Sequence, residues 1–283
     1  MRDACVCCIR SGVRGKIAPM TASVAPGGRR PHRVRPRSGA TFASVLGELL
    51  LTAGVLVLLF VAWQMWIGDI IIAAQKNEEG AQVSAEWAQG PTPELPPLVE
   101  TDSGETVYAP VIPKVPADTE NLGQMHIPRF GADYNFGIYG GTSRARTLDN
   151  LGIGVYTNSK MPGEPGNFAM AGHRTTWGKP FNQLDKLQLD DAIVVETPDG
   201  WFTYRFRTLE YVKPTQTDVL ADVPQLPGVE TGESYITLTA CSPLYSLAER
   251  IVAYGVFESF QPRAEGPPKA LTDPPPPPAA PSV

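Results

Sequence analysis

Apolar residues follow two patterns along this chain, one continuous and one alternating. An apolar run without charge covers Leu49 to Gly68, and it is long enough to cross a bilayer as one helix. Further on, alternation with period two predicts strands in four stretches: Ala192–Thr197, Trp201–Val212, Tyr235–Cys241 and Arg250–Phe260. The sequence Thr-Pro-Asp-Gly between the first two is typical of a hairpin turn. Short strands separated by turn signals favour a mainly β domain, either a barrel or a sandwich.

The continuous run predicts a membrane anchor. Just before it lie five clustered arginines, Arg29, Arg30, Arg33, Arg35 and Arg37, which should keep the N-terminus in the cytoplasm. A cleaved signal peptide is the competing interpretation, but the run is long and no small-x-small cleavage site follows it directly. A buried core helix leaves the arginines unexplained. We therefore expect a single pass through the plasma membrane, with the rest of the chain outside the cell.

Composition divides the 283 residues into five segments. We expect a disordered basic cytoplasmic tail over 1–45, a transmembrane helix over 46–68, and an amphipathic helix with a Pro-rich extracellular linker over 69–118. A domain of ordinary size follows over 119–262, and a disordered Pro-rich tail covers 263–283. The formal net charge of −5 argues against a general nucleic-acid binder.

The cysteines form two groups. Cys5, Cys7 and Cys8 have no second half to complete a zinc site, and a translation start at Met20 would remove them. No carboxylate cluster stands out either, so we expect neither metal nor other cofactor. Cys241 stands alone in the predicted outer domain and cannot form an internal disulfide. It could be an inert buried thiol, an intermolecular crosslink or a nucleophile.

The neighbours of Cys241 favour a nucleophile. Pro243 stops the strand's hydrogen-bond ladder, which places the thiol at a rim. A thiol nucleophile needs a base or a cation that favours the thiolate. His173 follows an apolar strand at a strand-to-loop junction, where a site residue can be held and reached, whereas His126 lies within a predicted strand. Arg250 begins the next strand, so an antiparallel pairing would bring its cation back to the thiol, where an oxyanion would develop.

These residues resemble the sortase family, and most closely the class E sortases of actinobacteria. The segments that carry the resemblance are "IPRFGAD", "MPGEPGNFAMAGHRTTWGKPF" and "TLTACSPLYSLAERIVAYGVF". The resemblance implies an eight-stranded sortase-type β-barrel with short helices, preceded by one transmembrane helix. It also implies a cysteine transpeptidase in which Cys241 attacks the threonine carbonyl of a C-terminal LAXTG- or LPXTG-like sorting signal. His173 would act as acid and base, and Arg250 would hold the substrate carbonyl or the oxyanion.

The implied partners are surface proteins that bear such a signal and a peptidoglycan amine that accepts them. Thr239, Ala240, Ser242 and Trp177 are the expected substrate-binding residues. Three of them depart from the family pattern: Ala240 replaces a threonine, Ser242 replaces a histidine, and Trp177 replaces the tyrosine of class E. A peptidase that acts mainly by hydrolysis, a pilin-polymerising sortase and a non-catalytic anchored module remain as alternatives.

Overall fold

The computed structural model describes residues 41–63, 67–101 and 104–273. The predicted basic tail, its arginines and its three cysteines lie almost wholly outside these ranges. The first described element is helix α1, Phe42–Ala62, which is long and apolar enough to cross a membrane, with a mean hydropathy of 2.5 over its most apolar window. Its residues are all exposed, and an apolar helix of this kind can satisfy all its backbone hydrogen bonds within lipid. This helix is compatible with a single-pass anchor.

Eight strands close into a barrel, which confirms the predicted fold class. Strands β1 (Leu98–Glu100) and β2 (Thr106–Tyr108) form a separate pair. The barrel strands are β3 (Asn121–His126), β4 (Phe136–Gly140), β5 (Ile153–Val155), β6 (Gly166–Ala171), β7 (Ala192–Thr197), β8 (Gly200–Val212), β9 (Ser234–Ser242) and β10 (Glu249–Pro262). Around the barrel their order is β10-β8-β7-β3-β4-β5-β6-β9. Two neighbouring pairs are parallel, β4 with β5 and β6 with β9.

The alternating stretches of the sequence became the strands of this barrel. The prediction over Ala192–Thr197 matches β7 at both ends, and the other three predicted strands lie within β8, β9 and β10. The predicted turn joins β7 to β8 at Gly200, whose φ of 155° suits a glycine. Between β6 and β7 the chain forms a single 3-10 turn, Leu184–Lys186.

Alternation also separates the two faces of β9. Ile236, Leu238 and Ala240 belong to the apolar core inside the barrel. Side chains along a strand point to opposite faces in turn, so Thr239 and Cys241 point outward. The face on which the thiol lies is therefore fixed by the apolar pattern of its own strand.

Helix α2, Gly68–Gln89, packs along the outside of the barrel. Its residues make contacts from the first turn to the last. Ala73 packs on the barrel core, and Gly80 lies so close to β4 that an added Cβ would be 2.5 Å from the Asn135 carbonyl oxygen. Near the other end, Ser84 donates a 2.7 Å hydrogen bond to Glu196. The helix is thus attached to the barrel over its whole length.

Ordered structure continues past Pro262. A 3-10 turn covers Arg263–Glu265, and the short helix α3 covers Lys269–Thr272. Ala270 and Leu271 pack against an apolar cluster on β7 and β8. The remainder of the predicted tail, 274–283, lies outside the described residues.

Candidate active site

Strand pairing brings Cys241 and Arg250 together. The loop after β9 reverses the chain, and β10 returns antiparallel to it with Arg250 directly opposite Cys241. Residues directly opposite in such a pair point to the same face, with Cβ atoms about 5 Å apart. Both side chains are partly exposed. The predicted meeting of thiol and guanidinium is what this register produces.

His173 reaches the same place from the other side of β9. Strand β6 runs parallel to β9, with Ala171 paired to Thr239, and the Gly172 amide donates a 3.1 Å hydrogen bond to the Thr239 carbonyl. His173 lies two residues after Ala171, and Cys241 lies two residues after Thr239. The chain therefore leaves the sheet with the imidazole beside the thiol, and Cys241 is flanked by His173 on one side and by Arg250 on the other.

The three side chains line one cleft of about 550 Å³. Its walls come from the segments that follow β4, β5 and β6, from the end of β9 and from the start of β10. Among the described residues that line it, the fixed charges are those of three arginines: Arg144, Arg174 and Arg250. Fixed cations around a thiol favour the thiolate and any oxyanion that forms beside it.

Asp149 holds the imidazole of His173. Its carboxylate lies 2.6 Å from the ring Nε2, and both side chains are mostly buried. Because a carboxylate only accepts hydrogen bonds, Nε2 must carry a proton, which leaves Nδ1 to exchange protons in the cleft. Asp149 is not among the site residues predicted from the sequence. It ends a helical turn, Arg144–Leu148, far from the histidine in sequence, and no motif marks it.

The guanidinium of Arg250 is anchored by backbone carbonyls. It donates to the carbonyl oxygens of Leu247 at 3.1 Å and Glu249 at 2.8 Å, through one nitrogen. The loop that turns between β9 and β10 thus positions the cation, while the other guanidinium nitrogens keep donors for a ligand. Arg174, next to the histidine, is buried and donates to the Ser242 hydroxyl at 3.2 Å.

Thr239 lines the cleft, but its hydroxyl is used within the protein. It donates to the Met170 carbonyl at 3.1 Å and lies 2.9 Å from the Tyr156 hydroxyl. A hydroxyl has one proton to donate, so Tyr156 must be the donor in the second contact. Thr239 therefore fixes the wall of the cleft by orienting Tyr156.

The other predicted substrate-binding residues occupy different positions. Ala240 borders the cleft, but its side chain belongs to the barrel core. Ser242 shares that inward orientation, is 2% exposed and does not line the cleft. Trp177 is 42% exposed and lies on the loop after His173, outside the residues that line the cleft. Of the four, Thr239 and Ala240 therefore border the reacting groups, and Trp177 stands nearby on the surface.

His126 takes no part in this cleft. Its Nε2 lies 2.8 Å from a carboxylate oxygen of Glu196. His126 is on β3 and Glu196 is on β7, the strand that pairs with β3. The two histidines of the described chain are thus separated in space, and only His173 accompanies the thiol.

A barrel that presents a thiol, an imidazole and a guanidinium in one cleft defines a cysteine-dependent acyl-transfer enzyme. Comparison with known proteins agrees with this class. The sortase domain family matches residues 125–258. Sortase SrtE1 of Streptomyces coelicolor is 34% identical over 250 residues, which cover 86% of this chain and 65% of that protein. Sortase SrtE2 of the same organism is 31% identical over 239 residues, which cover 81% of this chain and 85% of that protein.

Solved structures point the same way. The sortase SrtA from Actinomyces oris is 35% identical, with a TM-score of 0.54 over 57% of this chain and 93% of its own. Sortase E from Streptomyces avermitilis is 36% identical, with a TM-score of 0.50 over 55% of this chain and 99% of its own. This chain belongs to the sortase family of cysteine transpeptidases, and its Streptomyces relatives place it with class E.

Proposed function

We propose that this chain is a membrane-anchored transpeptidase. It cleaves a C-terminal LAXTG- or LPXTG-like sorting signal after threonine and transfers the protein to a peptidoglycan amine. The observation that carries the proposal is the convergence of Cys241, His173 and Arg250 on one basic cleft. Helix α1 supplies the anchor, with the N-terminus in the cytoplasm and the barrel outside.

The first half-reaction forms a thioester. The Cys241 thiolate attacks the threonine carbonyl carbon, and the carbonyl oxygen becomes an oxyanion that faces the Arg250 guanidinium. When the tetrahedral intermediate collapses, the bond from the threonine carbon to the following nitrogen breaks. Protonated His173 gives its Nδ1 proton to the departing amine. The peptide beyond threonine leaves, and the surface protein remains attached to sulfur.

The second half-reaction reverses these roles. The neutral imidazole accepts a proton from the incoming amine as the amine nitrogen attacks the thioester carbon. A second oxyanion forms beside Arg250, the carbon–sulfur bond breaks, and the thiolate is restored. An acyl-enzyme that meets no amine reacts with water instead, so transfer and hydrolysis differ only in the acceptor.

At Tyr156, a second cleft adjoins the cleft that holds the thiol. It measures about 540 Å³ and lies between the segment after β5 and the segment between β8 and β9. Tyr156 borders both clefts, and Leu220 and Pro227 contribute apolar surface to the second. We assign this cleft to the residues that precede threonine, because they must extend away from Cys241 in one direction along β6 and β9.

The experiment measures products with and without an acceptor. The full chain in detergent micelles is incubated with an LAXTG peptide, and the products are resolved by mass spectrometry. With a peptidoglycan-like amine present, we expect the ligated product and the released C-terminal fragment in equal amounts. Without the amine, slower hydrolysis after threonine is expected. Cleavage at another bond, or cleavage that persists in Cys241→Ala, would refute the proposal.

A further inference from the structure

The loop that follows His173 has an unusual backbone. Three consecutive residues adopt positive φ: Trp177 at 57°, Gly178 at 78° and Lys179 at 44°. Residues with a side chain rarely adopt this left-handed region. Such a conformation persists where the surroundings hold it, and it is frequent next to functional sites. The loop joins the catalytic histidine to Trp177, so whatever holds it also helps to position both.

The first turn of helix α2 holds this loop. The backbone N–H of Trp177, the Lys179 ammonium and His173 all lie close enough to Asp69 to lower the pKa of its carboxyl group. Gly178 packs directly on the same turn, since an added Cβ would lie 3.3 Å from Ile72 Cγ2 and 3.5 Å from Ala73 Cα. The left-handed stretch therefore packs on the first turn of α2 at Gly178, and Asp69 of the same turn lies near Trp177 and Lys179.

Asp69 is not an ordinary acid at a helix start. An acidic residue in the first turn stabilises a helix through its dipole while it stays in water, but Asp69 is only 7% exposed. Burial raises the pKa of Asp69, and the opposing effects of Lys179, Trp177 and His173 do not cancel that rise. A carboxyl group that is buried against its own preference for water is better explained by its contacts than by the helix.

We propose that Asp69 is a positioning residue of the active site and that α2 belongs to the catalytic unit. On this proposal, which rests on the proposed transpeptidase function, the Asp69 carboxyl fixes the loop that carries His173 and Trp177. Asp69 lies a few residues beyond the end of α1 at Ala62. The histidine loop thus packs on the first turn of α2, which follows the apolar helix closely in the chain.

Three variants of the full chain test this proposal. Asp69→Leu keeps a side chain branched at Cγ but removes the hydrogen-bond acceptor, while Asp69→Asn keeps an amide oxygen that can accept from the Trp177 N–H. Glu78→Gln is the matched control, because Glu78 is an exposed acid on the same helix. Two quantities are measured for each: hydrogen exchange of the peptide covering residues 174–180, and kcat and KM on an LAXTG peptide.

We expect Asp69→Leu to speed exchange in residues 174–180 while β6 and β9 keep their protection. Its kcat should fall about ten- to hundredfold with little change in KM, because a misplaced histidine slows the chemical step. Asp69→Asn should remain within about threefold of the parent because its amide oxygen still accepts a hydrogen bond, and Glu78→Gln should be unchanged. If Asp69→Leu does not fold, Ile72→Ala, which weakens the contact with Gly178, should show the same localised exchange.

Two results would overturn the proposal. One is parental exchange and turnover in Asp69→Leu. The other is faster exchange throughout the barrel with equal losses in Asp69→Asn, which would assign Asp69 a general structural role. The exchange measurement does not depend on activity. The parent could therefore prove inactive while Asp69→Leu still speeds exchange in residues 174–180. That result would refute the transpeptidase function but support the role of Asp69 in fixing the loop.

Discussion

The described chain contains two histidines that look alike when their nearest contacts are compared. His126 lies 2.8 Å from Glu196, and His173 lies 2.6 Å from Asp149, each through its Nε2 atom. The exposed fractions of the two histidine side chains are 15% and 13%. Judged by the ring and its carboxylate alone, either could be a catalytic acid and base.

Their wider surroundings differ. Glu196 also accepts hydrogen bonds from Ser84 and Arg263, and the Arg263 guanidinium lies over the rings of Trp87 and Trp201. Those contacts use both carboxylate oxygens and fasten α2 and the C-terminal segment to the barrel. The His173 pair instead borders an open basic cleft that contains a thiol. A histidine–carboxylate pair therefore does not identify a catalytic site; access and a nucleophile do.

Exchanging each histidine for alanine should separate the two sites most strongly. We expect His173→Ala to lower kcat by several orders of magnitude, because thiol, imidazole and guanidinium act as a unit. Arg250→Ala should fall similarly, and Arg250→Lys should also be poor because an ammonium lacks the planar fork. His126→Ala should keep nearly parental turnover. Steady-state kinetics on one peptide measures all of these variants. If His126→Ala were inactive but kept the parental melting temperature, the choice of His173 as the catalytic histidine would be wrong.

The two carboxylates should differ in what they affect. Asp149→Ala should lower kcat by about ten- to hundredfold, since the imidazole loses the contact that orients it, while the melting temperature changes little. Glu196→Ala should leave kcat intact but lower the free energy of unfolding by about 3 kcal/mol, because it leaves buried charges without a partner. Kinetics and thermal unfolding of both variants test this contrast. Equal effects on activity would show that the two pairs do not differ in function.

The Glu196 network should also make stability depend on pH. Burial raises the pKa of Glu196, but the hydrogen bond and charge of His126, with bonds from Ser84 and Arg263, outweigh it and hold the pKa below its ordinary value. The unfolded chain then binds this proton more readily than the folded chain. The stabilisation is present above about pH 4.3 and is lost as the pH falls through the lower folded value.

Comparison with Glu196→Gln isolates this contribution. The difference in melting temperature between parent and variant should shrink as the pH is lowered from 7 to 3. A difference that stays constant over this range would mean that Glu196 does not keep a lowered pKa in the folded chain.

The smallest expected effect concerns Trp177. Class E sortases are associated with LAXTG signals. Alanine, unlike proline, keeps a backbone N–H, which can donate a hydrogen bond to a tyrosine hydroxyl oxygen. An indole only donates, so this chain should prefer LAXTG over LPXTG less sharply. Because such a hydrogen bond contributes about 1 kcal/mol net, Trp177→Tyr should raise the ratio of kcat/KM values by roughly threefold to tenfold. An unchanged ratio would show that Trp177 does not contact this position of the signal.

Much of this architecture could be predicted from residues. The alternation gave the last four strands to within two residues at each end, and the turn between Cys241 and Arg250 implied their pairing. The same alternation also indicates that Ala240 and Ser242 point away from the face of Cys241, although the family comparison drew attention to them. A substrate role assigned by position in a motif should therefore be checked against strand parity.

Other parts depended on contacts between distant segments. Asp149 meets His173 only because β5 and β6 are neighbours in the closed barrel, and nothing in "RTLDNLG" announces that contact. Helix α2 has the polar and apolar residues of a surface helix, which do not reveal that Asp69 and Ser84 are inside a packed interface. Long-range pairing of single polar residues leaves no periodic signal in a sequence.

The proposed transpeptidase reaction requires that Cys241 form a thioester with the threonine carbonyl in this cleft. Intact-mass spectrometry of the full chain, quenched in acid during turnover of an LAXTG peptide, detects this intermediate. We expect an adduct on Cys241 whose mass equals that of the peptide through threonine. The adduct should be discharged by an added amine, present in His126→Ala and absent in Cys241→Ala. Turnover by the parent without any such adduct, or an adduct that persists in Cys241→Ala, would contradict the proposed reaction.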